Sequence, residues 1–233
     1  MALYIALASI ETLAMVVVVV GAYRCWARLE PGARLVVAGV AVFLGFALVA
    51  APVNLLNMRT RLLQELPWLA GTLVVLLGFA RWQPDRRQTV ALRIGATLFV
   101  ALWGVAQWYQ GIDADFSDVS GPVHSAAITA GAAYSLVTRV QVTQEQWTRQ
   151  TWFWFCVGLM LVFGTGVVLD PLMSNVFGVR DDLVRLAYYF RLVCGICGYL
   201  LMAVGVWMVP SATRSGGTPQ LQPAHYSRLD GPR

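Results

Sequence analysis

The sequence predicts an all-α polytopic membrane protein, a seven-transmembrane-helix bundle with its N-terminus outside and its C-terminus in the cytoplasm. Three observations carry this expectation. The chain has 233 residues, of which 58% are hydrophobic and 12% charged, against about 25% charged in soluble domains. Mean hydropathy is +0.63. Apolar runs recur seven times, each near the roughly 17 to 25 residues that cross about 30 Å of hydrocarbon.

The first run, residues 2–22, has no basic segment before it and arginines after it, so it reads as an uncleaved signal anchor. The second and third cover 35–56 and 66–81. The fourth, 91–110, and the fifth, 122–139, are thinned by Gly, Ala, Gln and Ser in "LRIGATLFVALWGVAQWYQ" and "VHSAAITAGAAYSLV" but keep the required length. The sixth and seventh cover 151–171 and 184–209. The connections are short and marked by Gly, Pro or charge, so no loop is expected to hold a soluble domain. Residues 1–210 form one transmembrane domain on this reading. The tail 211–233, "SATRSGGTPQLQPAHYSRLDGPR", lacks apolar periodicity and is expected to be a disordered cytoplasmic tail.

Orientation follows from arginine, because basic loops stay in the cytoplasm. With the N-terminus outside, the inner connections and tail hold Arg24, Arg28, Arg34, Arg81, Arg86, Arg87, Arg93, Arg139, Arg149, Arg214, Arg228 and Arg233. The outer connections hold only Arg59, Arg61 and Arg180. The acidic loop "GIDADFSDVSG" then lies outside. The net charge of +5 reports this asymmetry, and no nucleic-acid partner is expected.

The chemical inventory excludes several classes. All 17 basic residues are arginine, so a retinal Schiff base on lysine is excluded. The two histidines, His124 and His225, lie at the outer mouth of the fifth span and in the tail, which leaves no pair to ligate a membrane haem. No P-loop, H-E-x-x-H, G-x-S-x-G or dinucleotide fingerprint occurs. "GTGVVLD" (164–170) lacks the second intramembrane aspartate of a two-carboxylate protease. "DADFSD" lacks the Gly and Glu that complete an EF-hand loop. No catalytic residue, cofactor or metal is therefore expected. Cys194 and Cys197 sit one turn apart deep in an apolar span, away from the helix N-terminus that redox pairs use, and read as packing residues.

Polar residues inside the spans gather toward the outer side. Asn54 and Asn57 close the second span, Gln107 and Tyr109 the fourth, and Asp170, Ser174 and Asn175 the sixth. His124 and Ser125 open the fifth, and Arg185, Tyr188 and Arg191 the seventh. Two readings stay open: an outward-facing ligand pocket, since intramembrane ionisable groups mark ligand and ion routes, or helix glue at about 0.6 kcal/mol per contact. The candidate ligand-binding set is Glu11, Asn54, Asn57, Gln107, His124, Asp170, Tyr188 and Arg191. The tryptophans fall mostly near span ends, as interfacial belts do.

On the seventh span, Tyr188, Arg191, Gly195, Gly198, Met202 and Gly205 share one stripe at helical spacing. This stripe is expected to face other helices. Glu11 and Arg191 lie roughly 13 and 10 Å deep, at 1.5 Å per residue, and the first and last helices of a ring are neighbours. An ion pair between them is expected, with Asp170 as a competing or third partner.

"WFWFCVGLMLVFGTGVVLDPLMSN" and "LVRLAYYFRLVCGICGYLLMAVGVW", after "GAYRCWARLEPGARLVVAGVAVFLGFAL", resemble a broad set of uncharacterised bacterial seven-helix membrane proteins. These are similar to the sensory membrane modules of seven-transmembrane histidine kinases. The resemblance spans most of the chain and implies a sensor of the bacterial inner membrane. About 24 residues follow the last span, too few for a kinase or cyclase, so output through a separate cytoplasmic signalling protein is expected. A small transporter or channel, and a structural subunit of a membrane complex, are the alternatives. The lipid bilayer is the expected environment, and association with further copies of the chain stays open.

Overall fold

The computed structural model describes residues 2–55, 61–110, 120–143, 146–175 and 181–208. Among these residues there are seven α-helices and no strand: α1 (Ala2–Arg24), α2 (Pro31–Leu55), α3 (Arg61–Trp82), α4 (Arg86–Gln110), α5 (Ser120–Val142), α6 (Thr151–Asn175) and α7 (Asp181–Met208). Two single 3-10 turns, Trp26–Arg28 and Trp147–Arg149, join α1 to α2 and precede α6. The helices run 22 to 28 residues, or about 33 to 42 Å. Each expected span coincides with a helix over its described residues. The helices start up to five residues earlier and end up to four later than the apolar runs, because hydrogen bonding continues past them. The last residues of the second and seventh spans, 56 and 209, lie outside the described residues. The expected disordered tail lies outside the described residues.

Helix ends follow local chemistry. Pro31 opens α2, where its missing N–H costs nothing. Asp85 precedes α4 and accepts the Arg87 N–H at 3.1 Å, satisfying one orphan donor.

Five helices, α1, α2, α4, α6 and α7, are long and apolar enough to cross a membrane, which fits a multi-pass protein in a lipid bilayer. By the same measure α3 and α5 do not qualify among the described residues. They carry the buried polar side chains Thr72, His124, Ser125, Ser135 and Thr138, and each packs against α4 as well as its two neighbours in the ring.

Around the bundle the order is α1, α2, α3, α5, α6, α7 and back to α1, with α4 outside the ring against α3 and α5. Neighbours in sequence run antiparallel. In the α2–α3 seam, a Cβ on Gly32 would lie 2.8 Å from the Gly78 carbonyl oxygen, and one on Gly39 would lie 2.9 Å from that of Gly71. In the α6–α7 seam, Gly158 and Gly198 meet so closely that a Cβ on either would sit 2.5 Å from the other's carbonyl oxygen. Small residues allow this approach where lipid supplies no hydrophobic drive between helices. α3 and α5 run parallel: His124 meets Thr72 and Ser135 meets Gln83 at the same offset of 52 residues.

The interior is filled by Val18, Val36, Val40, Val75, Phe79, Trp82, Phe155, Leu159 and Met202, all buried. On α7 the expected stripe faces inward from Arg191 to Gly205. Tyr188, at its N-terminal end, is instead 39% exposed. Cys194 is buried and Cys197 exposed, and both are free thiols.

Candidate functional site

Arg191 lies on α7 between two carboxylates of different helices. Its Nη1 donates to Asp170 Oδ1 of α6, an ion pair with both side chains largely withdrawn from solvent. Glu11 of α1 presses its carboxylate against Gly195, one turn along α7, where a Cβ would collide with it. Glu11 also feels the charge of Arg191, yet no ion pair joins them within 4 Å. The expected Glu11–Arg191 pair is therefore corrected: the depths match, but the guanidinium points toward α6.

Asp170 has a second support. A Cβ on Gly121, in the first turn of α5, would sit 3.4 Å from Asp170 Oδ2, so the carboxylate meets the positive end of that helix. A Cβ on Gly166 would lie 2.6 Å from Ser125 Oγ and 3.3 Å from Asp170 Oδ2. Asp170 and Ser125 thus share one small space between α5 and α6.

His124, next to Ser125, carries the polar band on to α3. Its Nδ1 shares a 3.0 Å hydrogen bond with the Thr72 hydroxyl, and both residues are buried. Its Nε2 faces Glu65 Oε2 at 3.8 Å, beyond hydrogen-bond reach, and is buried with no hydrogen-bond partner. The Trp103 indole N–H of α4 points at the same Glu65 oxygen at 3.5 Å. Aromatic rings wall the imidazole, with Phe99 at 5.1 Å and Trp68 at 6.4 Å between centroids. Trp68 in turn packs on Phe43, Phe46 and Phe163, so this tryptophan is part of an interior aromatic cluster rather than an interfacial belt.

Of the eight candidate residues, the structure brings Glu11, Asp170 and Arg191 into one group and places His124 in the adjoining one. Gln107 lies on α4, one turn from Trp103, with its amide nitrogen buried and unpartnered. Tyr188 faces outward. Asn54 lies in α2 but its side chain is not among those described, and Asn57 lies outside the described residues. Sequence reasoning missed Glu65 and Thr72. The signal for Glu65 was present: an acid one residue before the third apolar run.

The opposite half of the bundle holds a separate, smaller polar set. Gln83 donates to Ser135 Oγ at 3.0 Å and accepts from the Thr138 hydroxyl at 2.8 Å. Arg139 donates to the Trp82 carbonyl at 2.8 Å, pairs with Glu30 at 3.4 Å and lies 5.3 Å over the Trp152 ring. These contacts tie α2, α3, α5 and α6 together at one end. Among the described residues no group of three His, Cys, Asp or Glu could hold a metal ion.

Comparison with protein-family models, with curated proteins and with solved structures finds no match.

Proposed function

We propose that this chain is a receptor or sensor module of a bacterial inner membrane. In this reading all seven helices cross the bilayer with the N-terminus outside and the C-terminus in the cytoplasm. A small molecule or lipid enters the outer half of the bundle, and a helix shift carries the signal to a separate cytoplasmic protein.

One observation carries the reading. A band of polar side chains runs from Glu11 through Arg191, Asp170, Ser125, His124 and Thr72 to Glu65 and Trp103, touching α1, α7, α6, α5, α3 and α4. The band lies in the half of the bundle away from the arginine-rich turns. Between the band and those turns the core is apolar, with Val18, Val75, Phe79, Leu159 and Met202 fully buried. A one-sided polar region suits a receptor better than a channel, which needs a polar route through to the other face. Arg191 supports coupling, because a ligand that competes for its guanidinium would alter the contact of α7 with α6. The resemblance to sensory modules of seven-transmembrane histidine kinases points the same way. A structural subunit is the second reading, favoured by the full burial of Thr72 and the near-full burial of His124 and Ser125.

The test is a thermal-shift screen of the purified chain against organic amines, carboxylates and short amphiphiles. A ligand site predicts stabilisers whose effect disappears in Asp170→Asn. Absence of any stabiliser dependent on Asp170 would favour the subunit.

A further inference from the structure

The two 3-10 turns share a Trp-x-Arg pattern and a construction. They read Trp26-Ala27-Arg28 and Trp147-Thr148-Arg149, and neither contains a buried residue. Trp26 is 39% and Trp147 42% exposed, and the arginine of each turn is exposed. In each turn the carbonyl of the middle residue is held by a side chain from the helix that follows. Arg34 of α2 donates to the Ala27 carbonyl at 3.0 Å and to that of Leu29 at 3.0 Å. The Trp154 indole of α6 donates to the Thr148 carbonyl at 2.7 Å. The Trp147 ring is also set edge-on against Phe153, 4.9 Å between centroids.

The third connection at this end, between α3 and α4, exposes Arg81, Arg86 and Arg87. Arg139 ties the three regions to one level, since it contacts Glu30 before α2, Trp82 at the end of α3 and Trp152 at the start of α6. Arg34 and Arg139 are thus occupied inside the protein. Among the described residues, no side-chain hydrogen bond or ion pair engages Arg28, Arg149, Arg81, Arg86 or Arg87.

A loop that merely has to stay on one side of a membrane needs positive charge. It does not need a braced turn or an exposed indole beside the guanidinium. Bracing fixes the backbone from which the indole and guanidinium project before any ligand arrives and so lowers the ordering cost of binding. Guanidinium matches phosphate with paired donors, and indole settles at headgroup depth, with one end apolar and the other wet. We propose that the arginine-rich end of the bundle binds the anionic phospholipids of the leaflet it meets, anchored by the two Trp-x-Arg turns. The guanidiniums take headgroup phosphate and the indoles enter the boundary with the acyl chains. An acidic protein would satisfy the arginines but leave the exposed part of each indole facing polar groups, so lipid is the better occupant.

The experiment compares retention of phosphatidylglycerol and phosphatidylcholine by the purified full chain in a neutral detergent, read by native mass spectrometry. Phosphatidylglycerol should be retained preferentially at low salt, and the preference should fade as salt rises. Arg28→Gln and Arg149→Gln should each weaken it roughly fivefold, while Arg28→Lys and Arg149→Lys should weaken it less, since the charge remains but the paired donors are lost. Equal retention of the two lipids by the unaltered chain would overturn the proposal without reference to any variant. So would a preference that survives unchanged in the doubly substituted Gln variant.

Discussion

Replacing Asp170 with asparagine should destabilise the bundle more than replacing Glu11 with glutamine, although both remove one intramembrane carboxylate. Asp170 is held by Arg191 and by the first turn of α5, whereas Glu11 has only a longer-range attraction to the same guanidinium. Removing one partner of a buried pair leaves an uncompensated charge at a cost of about 3 to 5 kcal/mol. The Arg191 side chain is 33% exposed, and this solvation recovers part of the loss, leaving about 2 to 3 kcal/mol. At roughly 2 to 4 °C per kcal/mol for a chain of this size, Asp170→Asn should lower Tm by about 4 to 12 °C. Glu11→Gln should cost under about 1 kcal/mol, the scale of a typical polar contact between membrane helices. The double variant Asp170→Asn with Arg191→Gln should recover part of the loss, because no orphan charge remains. Thermal unfolding in detergent, followed by tryptophan fluorescence, measures these three and Arg191→Gln alone, which completes the cycle. A loss in Glu11→Gln equal to that in Asp170→Asn, or strictly additive losses in the double variant, would refute the assignment of Arg191 to Asp170.

Three further outcomes follow from the packing and the topology. Gly198→Ala puts a Cβ 2.5 Å from the Gly158 carbonyl oxygen and from Val162 Cγ2, so α6 and α7 must part; a loss of about 1 to 3 kcal/mol is expected. The control Gly104→Ala enters open space on α4 and should leave Tm unchanged or raise it. Thr72→Val strips His124 Nδ1 of its hydrogen bond and should cost about 1 to 3 kcal/mol, with Thr72→Ser restoring most of the Tm. An export-dependent reporter should be active when fused at Asp115 and silent at Pro84 or after Arg214; the reverse pattern would invert the proposed orientation.

The seven helices were legible because each needs a long apolar run, and that signal survives even where Gly, Ala and Ser dilute it. The 3-10 turns were not, since three residues carry no periodicity. Glu65 escaped by one residue: an apolar run cut at 66 leaves the acid in the loop, while the helix continues back to Arg61. Thr72 gave no signal, because a lone hydroxyl in an apolar run looks the same whether or not a histidine from another helix meets it. For Arg191, depth could be counted along the chain. The direction of its side chain depends on how α7 is rotated between α1 and α6, and no residue count contains that rotation. The same limit applies to Tyr188 and Cys197: helical spacing gives a face, and the neighbours decide whether it is covered.

Whether the polar band opens to the aqueous phase on the proposed outer side is read from the reactivity of a cysteine at Glu11. The background replaces Cys25, Cys156, Cys194 and Cys197 with alanine, and an impermeant thiol reagent is applied to intact cells. Leu13, two residues further along α1 and 61% exposed on its apolar outer face, is the lipid-facing comparison at nearly the same depth. Glu11→Cys should be labelled from outside roughly tenfold or more faster than Leu13→Cys, because thiolate forms only where water reaches. Equal inertness of the two, or labelling of Glu11→Cys only from the cytoplasmic side of inverted vesicles, would contradict it.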